Sequence, residues 1–409
     1  MSLENRPGKV SPSVWAEVAP EAIGKNCRLV RRTVPESTRV MAVVKADGYG
    51  HGAVPTARAA LENGADCLAV ARLEEAVALR RAGIDADILI FGGTPVDRVD
   101  EILEQDLIQT VFDVDTAKAF SRRAEALGRR IRAHLKVDTG MGRLGVVAAR
   151  RGGDSDKSDE VALEEAETIA RLPGLSMEGI YTHFARADEP DREFTRLQLS
   201  RFHNLVRGLR ELGIEIPLRH AANSAALLAM PETHLDLVRP GLMLYGLTPL
   251  VSQSPDQLGL TPALALKTRI AQVKRVGADF PISYGSVYVT DRETWIATLP
   301  VGYADGYRRC LSPGAEVLFR GRRARVAGQV CMDQTVIDLG EIEAPLTGEE
   351  VVLLGDQGEA AVKAEELAEI CHTISYEIVT AITSRVSRSY RAEHRRHNAH
   401  WSNRSITQS

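Results

Sequence analysis

Residues 40–52 read VMAVVKADGYGHG, an apolar run that ends abruptly at Lys45. Five consecutive apolar residues, three of them valine, are typical of a strand buried on both faces of a parallel sheet. The glycines at 48, 50 and 52 indicate a backbone packed close to its neighbours. In such sheets the chemistry lies beyond the carboxyl ends of the strands, where this lysine stands. The stretch therefore predicts both a fold class and a place for the active site.

The same pattern repeats from about residue 39 to 245, where short apolar runs alternate with stretches of helical spacing. That alternation predicts βαβ units and a parallel sheet. Eight strands with their helices would close an α/β (TIM-type) barrel, and an open doubly wound sheet is the alternative. The predicted strands are Val40–Val44, Cys67–Val70, Ile88–Phe91, Ile108–Phe112, Ile131–Val137, Met177–His183, Leu218–Ala222 and Leu235–Val238.

After about residue 250 the pattern changes to alternating apolar and polar residues broken by Gly and Pro, as in WIATLPVGYADGY (295–307). This predicts a mostly antiparallel β domain. We therefore divide the chain into a barrel domain over 14–250, a β domain over 251–391 and a disordered tail over 392–409. The polar stretch 150–160 is predicted to be a surface loop.

The composition is that of a globular protein, with 44% hydrophobic and 26% charged residues among 409 and a formal net charge of −4. That balance favours neither nucleic acid nor an acidic membrane as a partner. The sequence has neither an apolar run of about 20 residues nor a secretory signal. Its five scattered cysteines, with no C-x-x-C pair, predict a reducing, cytoplasmic setting without a disulfide framework, and we expect no metal site.

A second informative stretch is HLKVDTGMGRLG at 134–145. Its glycines at 140, 142 and 145 spell G-x-G-x-x-G, which could bind a dinucleotide. That fingerprint needs a long helix directly after it and an acidic residue about 20 positions on. A polar, Gly-rich segment follows instead, so the dinucleotide hypothesis is the weaker one.

Other polar residues also follow predicted strands: His183, Asn223 with Ser224, and Arg239. Each alone is more often structural than catalytic. Together with Lys45 and Arg143 they would meet at the carboxyl ends of the strands, the face on which barrels keep their active sites. A desolvated lysine amine there, with a lowered pKa, would suit Schiff-base chemistry.

Nine motifs now occur in a recognisable order: VVKADGYGHG, KVDTGMGRLG, THFA, HAANSAA, VRPGLMLYG, ISYG, LPVGYADG, VCMD and ISYE. From about residue 14 to 391 the chain resembles the pyridoxal-phosphate-dependent alanine racemases. The resemblance implies an eight-stranded α/β barrel followed by a β domain, with pyridoxal phosphate as cofactor. It also implies a homodimer in which each active site is completed by the partner's β domain, and interconversion of L- and D-alanine that supplies D-alanine for peptidoglycan.

The resemblance implies two bases: Lys45, which also forms the Schiff base, and Tyr284, which comes from the other subunit. Lys136 matches a lysine that is often carbamylated and then orients Arg143. The remaining implied cofactor-binding residues are Tyr49, Arg143, His183, Asn223, Ser224, Arg239, Gly241, Leu242 and Tyr376, and the implied substrate-binding residues are Arg143, Met332 and Asp333.

Two further matches, Asp188 and Arg309, would line the entry corridor, where Gln329 stands in place of the arginine of some members. That difference leaves open a broad-spectrum racemase acting on serine or lysine. A non-catalytic pyridoxal-phosphate carrier would lack the β domain, and a decarboxylase of related fold would have a carboxylate in place of Arg239. Both alternatives are therefore weaker.

Overall fold

The computed structural model describes residues 13–148, 155–250 and 253–390. Its first domain is a closed barrel of eight parallel strands, β2–β6 and β8–β10. The barrel closes because β10 pairs with β2 while β5 pairs with both β4 and β6. This excludes the open-sheet alternative. The strands up to this point are β1 (Val14–Val18), β2 (Arg39–Val43), β3 (Cys67–Val70), β4 (Ile88–Ile90), β5 (Ile108–Val111), β6 (Ile131–Asp138), β7 (Val146–Val147), β8 (Leu175–Tyr181), β9 (Leu218–His220) and β10 (Leu237–Val238).

Helices surround the barrel and bury one face each against it. In the helix over Glu193–Glu211, for example, Leu199, Phe202, Leu205 and Leu209 are buried at helical spacing. The α-helices of this domain are α1 (Pro20–Thr33), α2 (Lys45–Tyr49), α3 (Ala53–Leu61), α4 (Leu73–Arg81), α5 (Val99–Glu104), α6 (Val114–Ala126), α7 (Ser155–Ala170), α8 (Glu193–Glu211) and α9 (Ser224–Ala229).

The second domain is built on a sheet ordered β12-β15-β18-β17-β16-β19-β11-β1-β21, antiparallel except where β1 meets β21. A short hairpin, β13–β14, and two helices, α10 (Ala364–Ile370) and α11 (Ser375–Thr380), complete it. The strands are β11 (Leu264–Arg269), β12 (Gln272–Val276), β13 (Pro281–Ile282), β14 (Tyr288–Val289), β15 (Thr294–Leu299), β16 (Glu316–Phe319), β17 (Arg322–Val326), β18 (Thr335–Gly340), β19 (Glu350–Gln357), β20 (Ala360–Val362) and β21 (Ser387–Tyr390).

Two features of the fold differ from the sequence-based expectation. Strand β1, placed by sequence in the barrel domain, pairs with β11 and so belongs to the second sheet. Helix α7 begins at Ser155, so residues 155–160 are helical and not loop. Residues 149–154 and the predicted tail over 392–409 lie outside the described residues.

The expectation of no disulfide is wrong. Cys310 and Cys371 are bonded, with their Cα atoms 5.2 Å apart although 61 positions separate them in the chain. The other three cysteines, Cys27, Cys67 and Cys331, are free thiols. Spacing along the chain could not reveal this pair, because the β domain brings distant segments together.

Each domain has its own apolar core, and Tyr376 packs against both. Among the described residues, no helix has the length and apolarity needed to cross a membrane.

Candidate active site

A cavity of about 320 Å³ opens at the carboxyl ends of the barrel strands. Its lining contains two lysines and two arginines and, among the described residues, no acidic side chain. This favours a ligand that carries several negative charges. Eleven of the residues singled out by sequence line it: Lys45, Tyr49, Lys136, Arg143, His183, Asn223, Ser224, Arg239, Gly241, Leu242 and Tyr376.

Lys45 is the first residue of α2, a short turn whose backbone is left-handed. Ala46, Asp47, Gly48 and Tyr49 all have φ between +52° and +60°, a left-handed conformation that costs roughly 1–2 kcal/mol for each residue other than glycine. Backbone hydrogen bonds from Gly48 N to Val44 O (2.9 Å) and from Gly50 N to Ala46 O (3.0 Å) hold the turn. Backbone strain of this kind persists only where surrounding contacts hold the residues in place. Here the strained turn fixes the positions of Lys45 and Tyr49.

The Lys45 amine is half-buried near other charges. Burial, and next the Arg143 guanidinium, lower its pKa below the usual lysine value, while Glu75 opposes the shift. The Glu75 carboxylate accepts hydrogen bonds from the backbone N–H groups of Ala46 (2.6 Å) and Ala71 (2.7 Å). It therefore joins the end of β2, which carries the lysine, to the end of the neighbouring β3. A lysine with a lowered pKa can act as nucleophile or base near neutral pH.

The Gly-rich loop after β6 closes on Asp138. The carboxylate of Asp138 accepts hydrogen bonds from the backbone N–H groups of Gly140, Met141, Gly142 and Arg143, at 2.9–3.1 Å. Burial works against the charged form, but these hydrogen bonds outweigh it and lower the pKa of Asp138. Because an internal carboxylate uses these N–H groups, the loop does not present them to a dinucleotide phosphate. The loop brings Arg143 to the cavity wall.

Lys136 is buried in the cavity wall, with 5% of its surface exposed. Burial, and next the Arg239 charge, lower its pKa to about 7. Its amine donates to the Val137 carbonyl (2.9 Å) and lies 5.0 Å from the Tyr181 ring centre. Much of this amine is thus neutral at pH 7, the form that reacts with carbon dioxide.

Arg239 follows β10 and is held rigidly. Its guanidinium donates to the carbonyls of Thr182 and Ala221, both at 2.8 Å. It also donates to Nδ1 of His220 at 2.9 Å and approaches Nδ1 of His183 at 3.3 Å. Burial lowers its pKa to about 10, which still leaves the group cationic at neutral pH.

Two buried histidines, His220 and His134, form a hydrogen-bonded chain that begins at Arg239. Since Nδ1 of His220 accepts from Arg239, its Nε2 carries the hydrogen and donates to Nδ1 of His134 at 3.0 Å. Burial lowers the pKa of His134 to about 3 and that of His220 well below its usual value. Both rings are therefore neutral and fix the guanidinium by orientation.

The opposite end of the cavity combines hydroxyl and backbone groups. The Ser224 hydroxyl accepts from Gly241 N at 2.9 Å. A Cβ on residue 241 would come within 2.7 Å of the Tyr49 hydroxyl, so this close approach requires glycine. Tyr376 lies with its ring centre 6.1 Å from that of Tyr49, and Asn223 caps α9 by accepting from Ala226 N. Hydroxyls beside backbone N–H groups suit a phosphate.

Three predicted site residues do not reach this cavity within one chain. Tyr284, Met332 and Asp333 line a separate groove on the β domain. Tyr284 is 74% exposed and Met332 is 54% exposed. Tyr284 stands on a tight turn in which Ser283 and Ser286 have φ of 61° and 47°. The turn presents the phenol outward.

Sequence reasoning missed Tyr181 and the role of His220. Tyr181 is buried, stacks on His220 (ring centres 4.6 Å apart) and lies under the Arg239 guanidinium. Its hydroxyl is 3.0 Å from Thr110 Oγ1. Tyr181 precedes His183 by two positions, so the two-residue period of a strand could have placed both on one face.

Comparison with known proteins agrees with this architecture. The family model for the alanine racemase N-terminal domain matches residues 18–249, and that for the C-terminal domain matches residues 263–390. An alanine racemase from Desulfosudis oleivorans is 47% identical over 92% of this chain and 96% of its own length. One from Desulforamulus reducens is 49% identical over 92% and 98%.

Solved structures agree as well. The alanine racemase of the D-cycloserine producer Streptomyces lavendulae superposes with a TM-score of 0.87 at 41% identity, covering 94% of this chain and 98% of its own. The Bacillus anthracis alanine racemase, solved with bound L-Ala-P, gives 0.84 at 39% identity over 94% and 96%. With both domains matched and the polar residues of the barrel assembled in one cavity, the chain belongs to the alanine racemase family of isomerases.

Proposed function

We propose that this protein interconverts L- and D-alanine with two bases, Lys45 and the partner subunit's Tyr284, and with pyridoxal phosphate as cofactor. The observation that carries the proposal is the cationic cavity at the strand ends, with Lys45 at its wall and hydroxyl and backbone groups at its far end. Such a cavity suits a ligand with both a phosphate and a carbonyl group.

The residues fit that cofactor. Ser224, Tyr49 and Tyr376, with the backbone at Gly241 and Leu242, would hold the phosphate, and Lys45 would bind the carbonyl carbon. Arg239 would face the ring nitrogen. When bound, pyridoxal phosphate supplies the electron-withdrawing group that acidifies the Cα–H bond of the amino acid. A guanidinium keeps its proton, so Arg239 would leave the ring nitrogen unprotonated, which disfavours side reactions.

Racemisation requires a proton to leave one face of Cα and a proton to arrive on the other. Two bases on opposite faces do this without any group crossing the substrate. Lys45 would serve one face with its amine of lowered pKa. Tyr284 would serve the other, with the neutral His183, held by Arg239, as its hydrogen-bond neighbour.

A homodimer explains the exposed groove. Tyr284 and Met332 are each more than half exposed and line the same groove, and adjacent exposed apolar side chains are a feature of interaction surfaces. In a twofold dimer each groove would cover the partner's cavity, because one such contact repeats twice. The backbone N–H groups at Met332 and Asp333 would then hold the substrate carboxylate together with Arg143, because the Asp333 side chain is an anion that is paired with Arg385.

We also propose a carbamate on Lys136. Its pKa of about 7 provides the neutral amine that carbon dioxide requires. The carbamate would bear a negative charge in a wall whose other charged side chains are basic, and its oxygens could accept from Arg143. We further propose that the enzyme acts in the cytoplasm and supplies D-alanine for peptidoglycan, and its three free cysteines are compatible with a reducing compartment.

The test begins with purified protein supplied with pyridoxal phosphate. We expect a near-visible absorption band that borohydride abolishes, and mass spectrometry should place the reduced adduct on Lys45. L-alanine should be converted to the racemate, and Lys45→Ala should lose both the band and the activity. A protein that gains no such band, or that leaves alanine enantiopure, contradicts the proposal. Lys25→Ala, a change at an exposed lysine on α1, is the matched control.

A further inference from the structure

The one disulfide among the described residues lies in the β domain, and neither of its cysteines lines the cavity. Cys310 is exposed, on a short helical turn after Tyr303–Asp305, and Cys371 ends α10. Five positions after Cys371 comes Tyr376, which lines the cavity. The bond therefore joins a surface segment of the β domain to the segment that carries a cavity residue.

Noncovalent contacts join the same segments. Arg308, two positions before Cys310, forms an ion pair with Glu377 at 2.7 Å. Farther along, Thr383 N donates to the Asp305 carbonyl at 3.1 Å. The Thr383 hydroxyl also donates to the Ala304 carbonyl at 3.1 Å. The disulfide is thus one of several connections between these segments, and it is the only one of those named here that a change of redox state can remove.

Disulfides are rare in reducing compartments, and those that occur there are usually transient or redox-sensing. An exposed sulfur is open to attack by an external thiolate, whereas a buried disulfide is protected. The exposed Arg309 beside Cys310 adds a positive charge that favours the approach of an anionic thiolate. The three other cysteines are free and are not bonded to this pair.

We propose that Cys310 and Cys371 form a reversible thiol–disulfide site that low-molecular-weight disulfides oxidise, and that its state sets how firmly the Tyr376 segment is held at the cavity. In oxidation, the Cys310 thiolate attacks the small disulfide, forms a mixed disulfide and releases one small thiolate. The Cys371 thiolate then attacks the Cys310 sulfur and releases the second. Two protein thiols are oxidised, two protons leave, and one small disulfide is reduced to two thiols.

The expected effect on the cofactor is moderate and rests on the proposed function. Tyr376 packs against both cores and lies 6.1 Å from Tyr49, ring centre to ring centre, so looser anchoring of its segment would weaken one end of the cavity. Because the Arg308–Glu377 and Asp305–Thr383 contacts remain after reduction, we expect pyridoxal phosphate to leave the reduced protein about two- to tenfold faster.

The experiment compares the full-length protein after treatment with oxidised glutathione or with dithiothreitol. Peptide mapping without reductant should recover a cross-linked peptide containing Cys310 and Cys371 only from the first sample. Hydrogen exchange should show slower exchange over 364–380 in that sample. Release of the cofactor into a trap is then timed for both samples.

The controls are Cys310→Ser, Cys371→Ser and the double variant, with circular dichroism to check folding. All three should release cofactor at the rate of the reduced wild type and should not respond to glutathione. The proposal is overturned if both cysteines stay free after oxidation, or if oxidised and reduced proteins exchange amides and release cofactor alike. A protein that binds no pyridoxal phosphate contradicts the proposed function instead, and peptide mapping and hydrogen exchange still decide the redox site.

Discussion

The cavity of the barrel and the groove of the β domain hold the two proposed bases in opposite settings. Lys45 lies in a concave cavity with basic side chains in its wall. Hydrogen bonds fix that wall, through the four backbone N–H groups that donate to Asp138 and the four contacts of Arg239. Around Tyr284 the groove is open, and the Tyr284 and Met332 side chains are exposed. The barrel has the features of a binding site, whereas the groove has those of a surface that needs a partner. This difference is the one that the proposed homodimer requires.

The strongest test of this difference is to remove one proposed base from the cavity in one chain and the other base from the groove in another chain. Tyr284→Phe should lower kcat by about 10²–10⁴-fold, because it removes one base. Lys45→Ala should lower kcat at least as much, because it removes the other base and also the amine that binds the cofactor. Mixed dimers of the two variants contain one intact site, so co-refolding should restore about a quarter of wild-type activity.

Activity of the refolded mixture is the measurement, and mass spectrometry of the intact dimers checks that they mix. Refolding each variant alone is the control. If mixed dimers form but no activity is recovered, each site is built within one chain, and the groove does not complete the partner's cavity.

Substrate size tests whether the groove closes the cavity. If Tyr284, Tyr376 and Met332 meet over Cα, little volume remains beyond the β-carbon. Lysine should then be a poorer substrate than alanine by about 10–200-fold in kcat/KM, with serine between them. Parallel racemisation assays with the three amino acids give the ratios.

Met332→Ala should narrow the alanine–lysine ratio if that side chain restricts the pocket. Equal turnover of lysine and alanine in the wild type would instead indicate a broad-spectrum racemase. Gln329, whose carbonyl accepts from Ser283 Oγ beside Tyr284, would then be the first position to examine.

Lys136 tests the barrel side alone. Lys136→Ala should lower kcat/KM by about 10–100-fold, because Arg143 loses a charged hydrogen-bond acceptor. Added formate or acetate should restore part of the activity of the variant and leave the wild type unchanged. Labelled bicarbonate should give a carbamate carbon signal by NMR in the wild type. A wild-type lysine without that signal contradicts the carbamate and leaves the assignment of the bases untouched.

The last prediction concerns stability and does not depend on activity. The pKa values of His134, His183 and His220 are lowered by burial, so between pH 6.5 and the folded-state values only the unfolded chain binds these protons. Stability is therefore full above about pH 6.5 and falls as the pH drops, by about 1.4 kcal/mol per pH unit for each proton.

Urea unfolding at pH 7, 6 and 5 measures this slope. His134→Gln should make it shallower. His372→Asn, at an exposed position with φ of 51° that asparagine tolerates, should leave it unchanged. Equal slopes for wild type and His134→Gln would show that the buried histidines do not govern the acid response.

Most of the barrel could be predicted because its strands are short, apolar and buried on both faces. The predicted Cys67–Val70 matches β3, and other boundaries differ by one or two residues. The cavity residues followed, since parallel strands end at one edge of the barrel. The spacing of apolar residues, every two in a strand and every 3.6 in a helix, is a local property of the sequence. The identity of the residue that follows a strand is local too, so both can be predicted from sequence.

The tertiary structure alone decided what depends on distant segments. Strand β1 joins the second sheet because its register matches β11, about 250 residues later. Cys310 and Cys371 meet because the β domain packs α10 beside the turn that carries Cys310. Tyr181 and His220 became part of the site only when ring stacking and the hydrogen bonds of Arg239 were visible. The sequence by itself determined which residues end each barrel strand. Which side chains then contact each other, and which remain exposed on the β domain, depended on packing between distant segments, and no local sequence pattern specifies that packing.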